Sequence, residues 1–280
     1  MKAGFIGAGK VGFTLGKYLA EGGITVTGYY SRTARSAREA AAFTGTKYYD
    51  KLADIVKDSD TLFVTVPDGA IGEVWKGICN LPIKNKNICH CSGSISSAAF
   101  FNACEKGAYR YSIHPLYAIS DKYNSYKTLK NAYFAVEGSP ENLQEMINCL
   151  RSLGNKVTSI DPQKKAQYHC AAVMVSNQTV ALADIGAELL AECGFSRRDA
   201  ELALGPLISG NALKIAEAGP EQALTGPVER ADAVTVKSHM RILSGETKEI
   251  YRLLSKRLIA VAKRKHPERD YRDAEKELEK

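Results

Sequence analysis

Over residues 1–160, short runs of β-branched and aromatic residues alternate with stretches of helical periodicity. The strand-like runs fall at 2–6, 25–30, 61–66, 87–91, 109–114, 133–137 and 156–159. Between them, 11–21, 33–43, 70–79, 96–104 and 140–153 read as helices, most of them entered through a Gly, Ser, Asp or Pro that suits a helix start. This alternation predicts the α/β class, a doubly wound Rossmann-type parallel sheet covered by helices. After Asp161-Pro162 the pattern changes. Long amphipathic stretches at 163–193, 197–218, 231–244 and 247–265 are broken by Gly194, Gly219-Pro220 and Gly226-Pro227, which predicts an all-helical second half. The expected domains are therefore 1–160, a nucleotide-binding sheet, and 161–280, a helical domain for substrate binding or dimerisation. The charged segment 269–280 reads as an exposed helix or a frayed tail.

Composition narrows the function classes. With 45% hydrophobic and 25% charged residues, the 280-residue chain is globular in character. The longest apolar run, 170–183, is interrupted by Ser176, Asn177, Gln178 and Thr179, so no membrane span is expected. The net charge of +7 gathers in 248–272, mixed with acids at helical spacing, and reads as a solvated helix face rather than a nucleic-acid surface. Seven scattered cysteines lack paired metal spacing, so no metal site is expected and a cytoplasmic, reduced protein is.

One motif carries chemistry in a context that supports it. Gly7-Ala8-Gly9-Lys10-Val11-Gly12 follows the first strand directly and opens a helix. Gly7 permits the turn, Gly9 lets a pyrophosphate approach the backbone, and Gly12 lets helix and strand pack closely. The helix N-terminus offers free N–H groups to the phosphates. About 20 residues further on, where an NAD site places an acid, stand Ser31 and Arg32, with Arg35 behind them. Guanidinium donors without a nearby carboxylate predict NADP as the cofactor. Val66-Pro67-Asp68 and Ser92-Gly93-Ser94 follow later strands, where a crevice meets the nicotinamide, and Ser94 is a candidate for substrate contact. Asp68 and Ser94 equally suit capping of the helices that follow.

Together with Ile113-His114-Pro115-Leu116, Ser176-Asn177 and the run from Leu224 to Asp232, these motifs resemble the Rossmann-like oxidoreductases with a C-terminal helical domain of unknown function. In layout that family is similar to pyrroline-5-carboxylate reductase, ketopantoate reductase, prephenate dehydrogenase and the β-hydroxyacid dehydrogenases, with a second domain like that of 6-phosphogluconate dehydrogenase. The resemblance implies hydride transfer between NADP(H) and a small oxo, hydroxy or imino acid. It also implies a site between the domains and a homodimer built through the helical one.

The lysine that β-hydroxyacid dehydrogenases place one turn before an asparagine is Val173 here. A turn earlier stands His169, which shares a helical face with Asn177 at i, i+8 and can take the proton-handling role. His114 is the second candidate, at a strand end and followed by a proline that directs the departing loop. Asn177 would orient a carboxamide or a carbonyl, or bond within the bundle. Thr225 and Arg230 suit either the grip on a substrate carboxylate or a fixed joint between helices. The Lys164-Lys165 pair reads as solvated. A non-catalytic NADP(H) sensor or partner-binding protein is the alternative to an enzyme.

Overall fold

Strands β1 (Lys2–Ile6), β2 (Thr25–Tyr30), β3 (Lys47–Tyr48), β4 (Thr61–Val64), β5 (Asn87–His90), β6 (Tyr109–Leu116), β7 (Tyr133–Gly138) and β8 (Lys156–Ser159) form one eight-stranded sheet, in the order β3-β2-β1-β4-β5-β6-β7-β8. The computed structural model describes all residues, 1–280. Helices α1 (Lys10–Glu21), α2 (Ala34–Thr44), α3 (Leu52–Asp58), α4 (Ile71–Ile78), α5 (Leu143–Ser152) and α6 (Lys165–Val175) accompany the sheet. Successive residues of each strand point to opposite faces. Phe5, Phe63 and Cys89 therefore enter one core with Phe13 and Leu15 of α1, while Ile6, Leu62, Val64 and Ile88 enter a second with Trp75 and Ile78 of α4. A sheet covered on both faces needs strands apolar on both sides, and β4 and β5 are buried throughout.

The α/β class stands, with differences in detail. The sheet is not wholly parallel: β7 runs antiparallel to β6, and β8 runs parallel to β7. Only a 3-10 turn, Ser125–Asn131, lies between β6 and β7. No full helix carries the chain back across the sheet, so β7 starts from the end at which β6 stops. The expected strand end at His114 also moves. Pro115 and Leu116 continue β6, pairing with Phe134 and Tyr133. Pro115 is tolerated because β5 pairs with β6 only as far as Ser112, which leaves no neighbour on that side to miss an N–H. The helix expected over 96–104 is reduced to 3-10 turns at Ser97–Ala99 and Cys104–Lys106. Asn102, with φ of 52°, interrupts it. Strand β3 and helix α3 are too short to have shown a period.

The chain divides into two compact units, Met1–Met174 and Val175–Lys280. Helix α6 thus goes with the sheet. The second unit holds α7 (Asn177–Glu192), α8 (Arg197–Ala223), α9 (Ala233–Ile242), α10 (Gly245–Lys265) and α11 (Arg272–Glu277). Its core gathers Leu224, Val236, Met240, Ile259, Tyr271 and Leu278. The C-terminal segment is anchored there by Ala274 and Leu278, both buried. The single helix expected over 163–193 divides into α6 and α7 at Ser176, whose backbone stays in the right-handed helical region with φ of −106° and ψ of −75°.

Candidate active site

The turn between β1 and α1 is built as its glycines require. Gly7 has φ of 109°, and a Cβ there would lie 2.7 Å from the Thr65 carbonyl oxygen. A Cβ on Gly12 would lie 2.7 Å from the Gly7 carbonyl oxygen and 2.6 Å from Thr65 Oγ1, whose hydroxyl donates to that same carbonyl. Gly9 is different. A Cβ there would meet nothing nearer than 4.0 Å, so the backbone faces open space at the point where a phosphate would approach. Gly9 caps α1 without any side-chain hydrogen bond, and the first turn of the helix carries no acid. The first N–H groups of α1 thus remain available to an anion. Ala8 is buried, Lys10 exposed and Val11 half-buried around this turn. A dinucleotide pyrophosphate fits this cradle. At the end of β2, Ser31 Oγ accepts from Thr33 N at 3.3 Å, and Arg32 and Arg35 are exposed.

The loops after β4 and β5 are tied together by Asp68. Its Oδ2 accepts from Ser92 Oγ at 2.7 Å and from Ser94 Oγ at 3.0 Å. Ser92 Oγ also accepts from the backbone of Ser94 and Ile95, at 3.2 and 3.0 Å. Neither Asp68 nor Ser94 caps a helix, contrary to the capping alternative, because these side chains are committed to one another. Val66 is half-buried and Pro67 exposed beside them.

Gly93 brings the two histidines together. A Cβ there would lie 2.6 Å from His169 Cδ2 and 2.9 Å from His114 Nε2, so only glycine lets both imidazoles close on this loop. His114 Nδ1 and the Tyr168 hydroxyl are 2.7 Å apart, with the rings edge to face. In one tautomer the phenol donates to Nδ1 and Nε2–H faces Gly93; in the other Nδ1–H donates to the phenol. Either way, the imidazole links the loop to the phenol. Burial, reinforced by the charges of Lys165 and His169, pushes the His114 pKa down to about 4. Burial pushes the Tyr168 phenol up to about 12. Both groups are therefore neutral near pH 7. His90, on β5 and fully buried, is likewise pushed down to about 4, mainly by burial, and its Nδ1 accepts from Ser92 N.

Lys165 corrects the sequence reading. It is 2% exposed, not solvated; Lys164 next to it is exposed. Its ammonium donates to Ser112 Oγ at 2.7 Å and lies 5.4 Å from the centre of the Tyr168 ring. Ser112 in turn donates to the Ser92 carbonyl at 3.3 Å, which fastens α6 to the loop after β5. Burial lowers the Lys165 pKa, and Glu137 partly offsets that. Glu137, also buried, accepts from the Ser97 N–H and hydroxyl, both at 2.7 Å. Lys165, Tyr168 and His169 lie on one face of α6 at i, i+3, i+4, a signal present in the sequence.

Asn177, Thr225 and Arg230 belong to the second unit. Asn177 opens α7, directly after the one-residue turn at Ser176. Thr225 and Arg230 are exposed. The turn between them is fixed by Asp232 N donating to the Pro227 carbonyl at 2.9 Å, and Asp232 caps α9.

Residues 1–115 match the Rossmann-like domain, and residues 132–258 match DUF2520, a domain of unknown function. The chain therefore combines a Rossmann-like domain with a DUF2520 domain. Among solved structures, a protein from Thermotoga maritima is 29% identical, with 94% of this chain and 99% of that one covered and a TM-score of 0.77. A Bacteroides fragilis protein provisionally named an NADP oxidoreductase is 27% identical, over 92% and 98% of the two chains, with a TM-score of 0.72. Pyrroline carboxylate reductase of Plasmodium falciparum, solved with NADP bound, shares the fold at 14% identity, over 98% of each chain, with a TM-score of 0.58. A sequence comparison with the curated proteins found no match.

Proposed function

We propose that this chain is an NADP-dependent oxidoreductase acting on a small carbonyl, hydroxy or imino compound. The observation that carries the reading is the shared edge of the sheet. The open Gly9 turn and the Asp68–Ser92 loops follow the C-terminal ends of β1, β4 and β5, where doubly wound sheets bind ligands, and the His114–Tyr168 pair, from β6 and α6, meets the last of these loops at Gly93. Gly7 through Gly12 would hold the pyrophosphate, with Ser31, Arg32 and Arg35 on the 2′-phosphate. Val66, Pro67, Asp68, Ser92 and Gly93 would flank the nicotinamide. When bound, the nicotinamide supplies or accepts a hydride. Reduction of a C=O or C=N group also needs one proton at oxygen or nitrogen. His114 and Tyr168 hold a proton between Nδ1 and the phenol oxygen and can deliver it there, and His169 stands beside them. Asn177 and Ser94 would orient the reacting group, with Thr225 and Arg230 gripping a carboxylate where the substrate has one. The NADP binding of the Plasmodium reductase and the name of the Bacteroides protein support this reading.

Fluorescence titration with NADPH and NADH tests the cofactor. NADPH binds more tightly, and Arg32→Ala weakens NADPH by about tenfold while leaving NADH unchanged, the loss of a charge-assisted hydrogen bond. Binding of neither cofactor would sink the reading. Val173, in place of the lysine of β-hydroxyacid dehydrogenases, favours a second reading, a non-catalytic NADP(H) sensor. That reading holds if a panel of oxo and imino compounds oxidises NADPH no faster with the wild-type protein than with a His114→Ala, His169→Ala variant. We further propose a cytoplasmic homodimer joined through α7 and α8. Val180, Leu202, Leu207, Leu213 and Ile215 are exposed on these helices, and all seven cysteines are free.

A further inference from the structure

Ser112, His114 and Leu116 alternate along one face of β6, and the antiparallel register sets Glu137, Ala135 and Tyr133 opposite them on β7. The chemistry of this face changes steadily in one direction. At the Ser112 end lies the buried Lys165 ammonium, and in the middle the His114–Tyr168 pair. At the Leu116 end, which is the C-terminal end of β6, the face opens into a recess of about 340 Å³. Leu116, Tyr133, Ala135, Thr158, Ile160 and Tyr168 line it, and no charged side chain does. Leu116 and Tyr133 are each 44% exposed, two large apolar side chains kept partly in water. Tyr168 joins the two parts: its ring is a wall of the recess and its hydroxyl meets His114.

We propose that this recess binds the hydrocarbon part of the substrate, a carbonyl or imine compound carrying an uncharged aliphatic or aromatic chain, with its C=O or C=N at the His114–Tyr168 pair. The assignment rests on the oxidoreductase reading for the reaction but not for the binding. A pocket that is apolar and carries one polar pair at its edge orients a ligand by that pair and holds it by its chain. The lining offers no cation to a carboxylate, so the substrate's chain end is uncharged.

The test uses straight-chain methyl ketones of increasing length, titrated into the full-length protein with and without NADPH and followed by ligand-observed NMR. Affinity is expected to rise roughly three- to fourfold per added methylene until the recess is full. Thr158→Trp, which fills the recess from the exposed edge strand, and Leu116→Asn should both abolish that gradient. Circular dichroism and NADPH affinity should stay at wild-type values, since both positions are exposed. A flat series, or a gradient that survives Thr158→Trp, overturns the proposal. A second copy of the chain covering the recess would give the flat series, together with a change in sedimentation in Thr158→Trp. Ketones that bind with the gradient but are never reduced would leave the recess standing and remove the oxidoreductase reading. Reduction without any preference for length would do the reverse.

Discussion

In the sheet unit, Phe5, Phe13, Tyr29, Trp75 and Phe134 are fully buried, whereas α7 and α8 bury only Ala187, Ala200 and Ala223 between them. Both regions are rich in apolar residues; what differs is who covers them. A sheet with helices on both faces supplies its own cover, and the central strands β4 and β5 find a core on both sides. Two long helices pack along one stripe each. Leu202, Leu207, Leu213 and Ile215 point elsewhere and stay exposed on α8. A helix apolar on several faces belongs inside a larger assembly. The sheet unit thus covers its own core and carries the candidate chemistry, whereas the exposed leucines of α8 are what the proposed homodimer would cover.

The largest expected effect breaks the self-sufficient unit. Gly7→Ala places a Cβ 2.7 Å from a backbone carbonyl at φ of 109°, a conformation that L-residues avoid. Strain of this kind costs ~1–3 kcal/mol before any overlap is counted. Urea unfolding should show at least that loss, with NADPH binding lost alongside. Gly9→Ala, with open space at its Cβ, should unfold like wild type and lose only the cofactor.

Acid comes next. The pKa values of His114 and His90 are both depressed from an ordinary 6.5 to about 4. Between those values the unfolded chain takes up protons that the folded chain refuses. Stability is therefore full above pH 6.5 and falls as the pH drops toward 4. A full shift of this size corresponds to about 3 kcal/mol for one histidine. Urea midpoints measured from pH 7.5 to 4.5 should show the fall, and His114→Gln should reduce it. Lys165→Met should raise the His114 pKa toward 6.5 in an NMR titration, because a nearby positive charge is removed. An unchanged His114 titration would mean that burial alone sets its value.

The sheet and the glycine turn were legible because each depends on local pattern: a period of two, and a glycine where φ is positive. Lys165 was not. Its burial follows from the packing of α6 against β6, a contact more than fifty positions apart in sequence, and a Lys-Lys pair at a helix start looks solvated without it. The antiparallel β7 was hidden for a similar reason, since strand direction depends on what the connection does rather than on the strand's own residues.

Leu213→Glu sharpens the comparison on the helical side. Leu213 is 61% exposed, so its replacement should change the stability of one chain by less than about 0.5 kcal/mol. If α8 forms the proposed apolar interface, a charge within it should instead weaken the dimer about 100-fold, or roughly 2.7 kcal/mol. Sedimentation equilibrium separates the two effects. A monomeric wild type, or a variant as dimeric as wild type, would mean that α8 is covered by something other than a second copy.

The smallest effect asks whether the two units stand or fall separately. Asp232 caps α9, with Oδ1 accepting from Thr235 N at 3.0 Å and Oδ2 from Thr235 Oγ1 at 2.6 Å. Asp232→Ala should cost about 1 kcal/mol, the usual worth of an N-cap. Where that loss appears is the informative part. Helix α9 packs Val236 and Met240 into the core that α10 and α11 share, and none of that core comes from the sheet unit. If the helical unit unfolds on its own, calorimetry of Asp232→Ala shows one transition moved and the other, reported by NADPH protection, unmoved. If both transitions move together, the helical unit draws its stability from the sheet as well, and the self-sufficiency of the sheet unit would be half of a mutual dependence.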